Sequence, residues 1–300
     1  MAQNLRTLRA LAPTVASGVV VVTLVTCLII TKSKHIYTGG LKWPYFSDMG
    51  RDAPAYYVFC VGLSLAAVML ACTWAFNYQF QRAVLSRPIQ LGEIKRRTLR
   101  WATTCAVLGM ASVVGLPVLA FFSTSSYPSL HNNAAYWFFL LETVAVLTNL
   151  LPAGSTAPSV DDTERFERLR RTSRIQLVFA GLFFVAFLIY LPIGLAIIDD
   201  FKHLTIAECL ERDLGTEYCT VTMKRNATET KLWNYEDDFT RSQLRAGAQL
   251  GCILTLVGYS LSFLSHDYEG EVDAQAGSRV TEEFPSTHFY TIPVLRSPSI

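Results

Sequence analysis

Glu142 stands in the middle of the run Tyr136-Trp137-Phe138-Phe139-Leu140-Leu141-Glu142-Thr143-Val144, where an unpaired carboxylate would be strongly disfavoured. Such a group must turn inward, find a partner or stay protonated. It is therefore a candidate either for a proton or lipid-headgroup site or for a hydrogen bond between helices. Gln249 is placed similarly, inside Gly247-Ala248-Gln249-Leu250-Gly251, a small-xxx-small spacing that lets a second helix approach closely. A second group comprises His35, Asp48, His131 and Asn133, in connections between apolar runs. Two imidazoles and a carboxylate have the chemistry for acid–base work or metal ligation at a membrane surface, and equally for solvated or capping positions in loops. Beyond these there is no glycine-rich phosphate loop, no paired-cysteine zinc spacing and no nucleophile elbow, so no metal and no cofactor is expected.

The elements that must position these residues follow from composition. Of 300 residues 51% are hydrophobic and only 17% charged, which is too apolar for an ordinary soluble enzyme. With 26 basic and 24 acidic residues, the net charge of +2 gives no excess for nucleic-acid binding. A hydrocarbon core needs roughly 20 apolar residues per helix. Six such runs occur, near Leu11–Ile30, Ala53–Phe76, Trp101–Phe122, Ala134–Leu151, Ile175–Ile198 and Leu244–Leu264. Backbone groups find no water partners in lipid, so an all-α bundle of six transmembrane helices is expected over residues 1–268. The tail 269–300, with its acidic residues and glycines, is expected to be disordered.

Orientation comes from the connections. Arg82, Arg87, Lys95, Arg96, Arg97 and Arg100 follow the second run, none occurs in 123–133, and Arg165, Arg168, Arg170, Arg171 and Arg174 follow the fourth. The positive-inside rule then places both chain termini in the cytosol, against a weaker contrary signal from Lys32, Lys34, Lys42 and Arg51. The connection 199–243 carries the acceptor triplet Asn226-Ala227-Thr228 and the cysteines Cys209 and Cys219. Glycosylation at Asn226, and a disulfide or two thiols facing an oxidising compartment, suit a lumenal or extracellular side. The arginine-rich connections also suit anionic lipid on the cytosolic leaflet.

The first outer loop reads Trp43-Pro44-Tyr45-Phe46-Ser47-Asp48-Met49-Gly50-Arg51-Asp52-Ala53-Pro54, with Phe59 shortly after. Pro44, Tyr45, Ser47, Asp48, Gly50 and Pro54 carry its pattern: the prolines restrict the chain, Gly50 permits a turn, and Ser47 or Asp48 can cap the next helix. This resembles the Pro-Tyr-x-Ser-Asp-x-Gly…Pro…Phe stretch of the family of damage-regulated autophagy modulators, FGF-receptor-activating and post-GPI-attachment membrane proteins, and the yeast suppressor of a PI four-kinase defect. The stretches His131-Asn132-Asn133-Ala134 and Tyr259-Ser260-Leu261-Ser262-Phe263 resemble further parts of its branches. Pro54-Ala55 stands where many members have Pro-Glu, and the 199–243 loop is longer than usual. The resemblance implies a membrane-resident factor in lipid homeostasis or autophagy-related processes, without an evident active site. Its partners would be membrane lipids and membrane proteins, in the Golgi, ER, lysosome or plasma membrane of a eukaryote. Two rivals remain open: a GPI-lipid remodelling factor with chemistry at His131, and a small-solute transporter, for which paired broken helices and several intramembrane charges are lacking.

Overall fold

The computed structural model describes residues 2–85, 92–153, 163–197 and 202–266. The tail 269–300, expected to be disordered, lies outside the described residues. Long helices dominate: α1 (Ala2–Ser33), α3 (Ala55–Leu85), α4 (Gly92–Ser112), α6 (Pro128–Ala153), α7 (Thr163–Ile197) and α9 (Phe239–Ser262). Short α2 (Phe46–Met49) lies in the loop between α1 and α3, the first outer loop of the expected topology, and α5 (Gly115–Phe121) follows α4. The break between α4 and α5 falls at Val113 and Val114. Its cause is Pro117, which has no N–H to give to the carbonyl four residues back.

Five segments are long and apolar enough to cross a membrane: Thr7–Ser33, Ala55–Ala83, Arg96–Phe121, Arg170–Ala196 and Phe239–Ser265. The run expected at Ala134–Leu151 is helical within α6 but is not among the five. Glu142 and Asn149 are the strongly polar residues within it. The helices close into a ring, α1 packing on α3, α3 on α4, α4 on α6, α6 on α7, α7 on α9 and α9 back on α1, with α5 set against α3 and α6. Large aromatics fill the interior, Trp74, Phe183 and Tyr259 being almost fully buried. Outward, the long helices show apolar side chains such as Val22, Val61, Val107, Trp137, Leu182 and Leu254, a surface suited to hydrocarbon and unsuited to water.

The described residues are mostly helical, as expected, with one addition: the connection after α7 folds into a cap with a small two-stranded sheet. Strand β1 (Lys202–Thr205) pairs antiparallel with β2 (Glu229–Asn234), Lys202 opposite Asn234 and Thr205 opposite Glu229. Thr230 and Leu232 of β2 alternate inward, the period-two pattern of a half-buried strand. Between the strands, α8 (Ile206–Glu211) starts at a capping box in which the Thr205 and Glu208 side chains each bind the other's backbone N–H. Cys209 and Cys219 form a disulfide. Both sulfurs are buried against Leu204, Met223 and Leu232, a core separate from that of the bundle. Helix α9 begins at Phe239 rather than near Leu244, and so shortens the connection.

Candidate functional site

At the cap end of the bundle, the residues of the first outer loop are held from three directions. The Tyr45 hydroxyl donates to the Ser242 carbonyl at 3.1 Å, and the Phe46 N–H donates to Gln249 Oε1 at 3.0 Å. The Gln243 side-chain oxygen accepts from the Lys42 and Trp43 backbones. Arg51 forms an ion pair with Asp52 at 2.9 Å and donates to the Tyr37 carbonyl at 2.7 Å. The Tyr218 hydroxyl of the cap donates to the same Asp52 oxygen at 2.8 Å. Burial works against the Arg51 charge, but the Asp52 carboxylate beside it more than restores it, so the guanidinium stays protonated.

Asp48 is the centre of this arrangement and is almost wholly buried. Its Oδ2 accepts from the Tyr235 hydroxyl at 3.0 Å and its Oδ1 from the Thr124 hydroxyl at 3.4 Å. Burial pushes its carboxyl above the ordinary range, opposed by the Arg51 guanidinium, the Tyr235 hydrogen bond and the nearby His131. Asp48 therefore ties the loop to the cap and to the segment before α6, and does not cap α3 as the loop pattern suggested. Gly50 also differs from expectation: its φ of −90° is open to any residue. What it provides is room, since a methyl group there would overlap the Phe59 ring.

These residues surround a polar pocket lined by Tyr45, Ser47, Asp48, Thr124, His131, Asn132, Ala135, Tyr190, Trp233, Tyr235, Arg245 and Gln249. His131 Nδ1 lies 2.9 Å from the Phe122 carbonyl, which can only accept, so that nitrogen carries the proton. Arg245 lies with its guanidinium carbon 5.3 Å from the Tyr45 ring centre and 5.0 Å from that of Tyr190, and donates to the Tyr136 hydroxyl at 2.9 Å. Both distances are those of cation–π contacts. Of the four residues expected to cluster, the structure brings Asp48 and His131 to one pocket. His35 is exposed at the end of α1, with φ at 50°, and Asn133 points outward from α6. Neither lines the pocket; Asn132 does. Loops that share a side of the membrane need not meet, and on a helix only one of two adjacent asparagines can share the His131 and Ala135 face.

Arg245, Tyr190, Thr124, Trp233 and Tyr235 were not among the expected site residues. Arg245 had a readable signal: it begins a stretch with no other charged side chain before Asp267, and a lone charge in such a run marks an interior site. Gln249 has a function other than close packing, since it holds the α2 backbone and lines the pocket. A Cβ at Gly247 would meet nothing, whereas one at Gly258 would strike the Phe179 ring, so the tight contact with α7 is a few turns further along.

Glu142 sits deeper in the bundle. Trp74 Nε1 donates to its Oε1 at 3.2 Å, and the Ser112 hydroxyl donates to its Oε2. Further along, Asn149 accepts from Asn77 at 2.7 Å and donates to the Tyr259 hydroxyl at 2.7 Å. Both clusters join α3, α4, α6 or α9 through neutral donors, which is the hydrogen-bonding alternative for Glu142. Glu142→Gln is expected to be nearly neutral, because an amide accepts from Trp74 and donates to Ser112. Glu142→Leu strands the Trp74 N–H, while the Ser112 hydroxyl keeps the Gly109 carbonyl, and is expected to cost about 1–3 kcal/mol. Thermal melts of the purified variants check this; a Gln variant that folds but fails in cells would assign the carboxyl a further role.

Compared with family models, residues 9–199 match the one described as Frag1/DRAM/Sfk1/Cwh43P N-terminal domain. No curated protein and no solved structure matches the chain.

Proposed function

We propose, from the premise that this chain belongs to the Frag1/DRAM/Sfk1/Cwh43P N-terminal domain family, that it is a six-span membrane protein acting in lipid homeostasis or autophagy-related membrane processes. The observation that carries this reading is the polar pocket around Asp48, His131 and Arg245, closed by a disulfide-held cap at one end of an apolar ring of helices. A soluble substrate would need an open polar mouth, whereas a lipid headgroup at the bilayer edge needs a polar chamber set above hydrocarbon. We assign no reaction to it. For the sixth span, α6 supplies support: Trp137, Leu140 and Val144 face outward as an apolar stripe while Glu142 faces in, the arrangement a lipid-facing helix requires.

With six spans and arginine-rich connections in the cytosol, both termini are cytosolic and the cap is lumenal or extracellular. The disulfide fits an oxidising side. On the opposite end, Arg96 and Arg100, one turn apart on α4, line a shallow surface groove that suits anionic headgroups of the cytosolic leaflet. Asn226 is exposed, and its Oδ1 accepts from the Thr228 and Glu229 backbones at 2.9 and 2.8 Å in a tight turn on the cap. N-glycosidase digestion is expected to raise the protein's mobility, and Asn226→Gln to abolish that shift; a fully mobile, unmodified wild-type chain from secretory membranes would reverse the orientation.

The cellular role is tested by the surface retention of GPI-anchored reporters, together with leaflet distribution of aminophospholipids, in cells lacking the protein. Altered lipid distribution with normal reporter retention is expected. Reporter loss would move the protein to the GPI-remodelling reading, and no change in either would remove lipid handling as its role.

A further inference from the structure

Helix α4 packs on α3 and α6 through a face on which Thr98, Ala102, Cys105 and Ala106 are buried. Another face of the same helix carries a shallow groove of about 590 Å³, within the roughly 300–1,000 Å³ of small-ligand sites. Its chemistry changes along the helix in a fixed order. Arg96 and Arg100 come first, both exposed and four residues apart; Thr103 and Thr104 follow one turn on, and Val107 and Leu108 one turn further. At 1.5 Å of rise per residue, each step is roughly 5 Å. The arginines stand at the very start of the apolar segment Arg96–Phe121. In a bilayer they therefore lie at the level of lipid phosphates, with the threonines at the glycerol esters and Val107 and Leu108 in hydrocarbon.

Two guanidiniums one turn apart on a helix repel each other unless an anion lies between them. Among the described residues neither Arg96 nor Arg100 has an ion-pair or hydrogen-bond partner. The sequence of α4 holds one acid, Glu93, against Lys95, Arg96, Arg97 and Arg100, and the next acid along the chain is Glu142, buried in the bundle. Thr103 donates to the Leu99 carbonyl at 2.9 Å, whereas the exposed Thr104 hydroxyl is open to an outside acceptor.

We infer that this face of α4 seats one acidic glycerophospholipid, its phosphate diester between Arg96 and Arg100, its glycerol esters at Thr104 and the start of one acyl chain along Val107 and Leu108. Guanidinium forks bind phosphate oxygens with charge-assisted hydrogen bonds. A choline head brings its own ammonium to the same place and competes with the arginines, so a head of net negative charge is selected. A free phosphate would satisfy the arginines but has no use for the hydroxyl and apolar steps that follow in register. This inference deepens the lipid-handling reading and rests on the bundle lying in a bilayer. It places a lipid on the outer surface of α4, apart from the pocket under the cap.

The test uses the full-length protein in phosphatidylcholine nanodiscs, where both leaflets are accessible and the result does not depend on orientation. A trace phospholipid probe with a diazirine on its acyl chain near the glycerol is supplied as phosphatidylglycerol or as phosphatidylcholine, and adducts are mapped by peptide mass spectrometry. Leu182 on α7 is the reference. It faces outward and lies eight residues beyond the exposed Arg174, as Leu108 lies beyond Arg100. Adducts at Val107 and Leu108, relative to Leu182, are expected to be at least about fivefold stronger with the acidic probe. Unlabelled phosphatidylglycerol should suppress them in the wild-type chain, a measurement that needs no variant. Arg96→Gln with Arg100→Gln should abolish the preference, while Arg170→Gln with Arg174→Gln, an equal loss of charge, should preserve it; all four side chains are exposed, so the fold should hold in both. Equal labelling by the two heads, the same preference at Leu182, or displacement by excess inorganic phosphate would each overturn the proposal, the last by assigning the arginines to a free anion. Because the readout is occupancy of α4, a negative result here with altered lipid distribution in cells would leave the cellular role standing.

Discussion

Asp48→Ala is expected to lower the stability of the protein by roughly 2–5 kcal/mol, since it removes the acceptor shared by the Tyr235 and Thr124 hydroxyls, each lost buried bond costing about 1–3 kcal/mol. The same change releases the cap from the first outer loop, so abundance at the expected membrane should fall as well. Asp48→Asn separates geometry from charge. Its amide oxygen still accepts from Tyr235, its nitrogen donates to the Thr124 oxygen, and the fold should survive. The pH dependence has a definite sign. Burial raises the folded-state carboxyl above its unfolded value, despite Arg51, Tyr235, His131 and Thr124, all of which favour the charged form. The stability contributed by the protonated carboxyl is present below the unfolded value and is lost as pH rises through the folded one. Wild-type melting temperature should therefore decline as pH rises from the unfolded carboxyl's value through the raised folded one, while the Asn variant stays level. An Asp48→Ala protein that melts like wild type but has lost cellular function would instead make Asp48 a functional group.

Replacing Cys209 and Cys219 together by serine is the second large effect. The bridge closes a loop of sequence separation 10 within the cap, and removing such a constraint typically costs about 2–4 kcal/mol. The buried hydroxyls that replace the sulfurs add to that cost. The loss should be local, because the cap has its own small core. Amide exchange across 202–238 is expected to accelerate by roughly 30- to 1,000-fold, at about 1.4 kcal/mol per tenfold, while α3 and α7 keep their protection. Exchange that rises equally throughout the bundle would show that cap and helices unfold as one unit, and unchanged exchange would show that the disulfide contributes nothing to the cap.

Much of the bundle was legible because a bilayer leaves few options: an apolar run of about 20 residues has to be a helix. The α6 helix was legible in the same way, although its asparagines and Glu142 weaken its signal. The cap was not legible. Its strands are four and six residues long, set among charges, and β2 is marked only by the inward alternation of Thr230 and Leu232. The pocket was half legible. Placing Asp48 and His131 on one side of the membrane was within reach of charge counting, but choosing Asn132 over Asn133, or leaving out His35, needs the rotation of α6 and the exit path of α1, neither of which is written in residue types. The Tyr235 partner of Asp48 depends on tertiary folding across nearly two thirds of the chain.

That separation sets an order of events during synthesis. Asp48 leaves the ribosome 187 residues before Tyr235, and the Gln249 that receives the Phe46 N–H follows 203 residues after it. At about 5–20 residues per second, the early loop waits roughly 10–40 s for its partners. In that interval the Asp48 carboxylate lacks its Tyr235 hydrogen bond, whereas Arg51 already has Asp52 and the Tyr37 carbonyl beside it, next to helices that have yet to close their ring. A chain stopped at residue 199, where the family match ends, would remain in that state permanently, lacking Tyr235, Arg245 and Gln249. The stretch that matches the family and the stretch that supplies the late partners of the loop between α1 and α3 are thus different parts of this protein, and membrane chaperones and quality control would meet the first long before the second is complete.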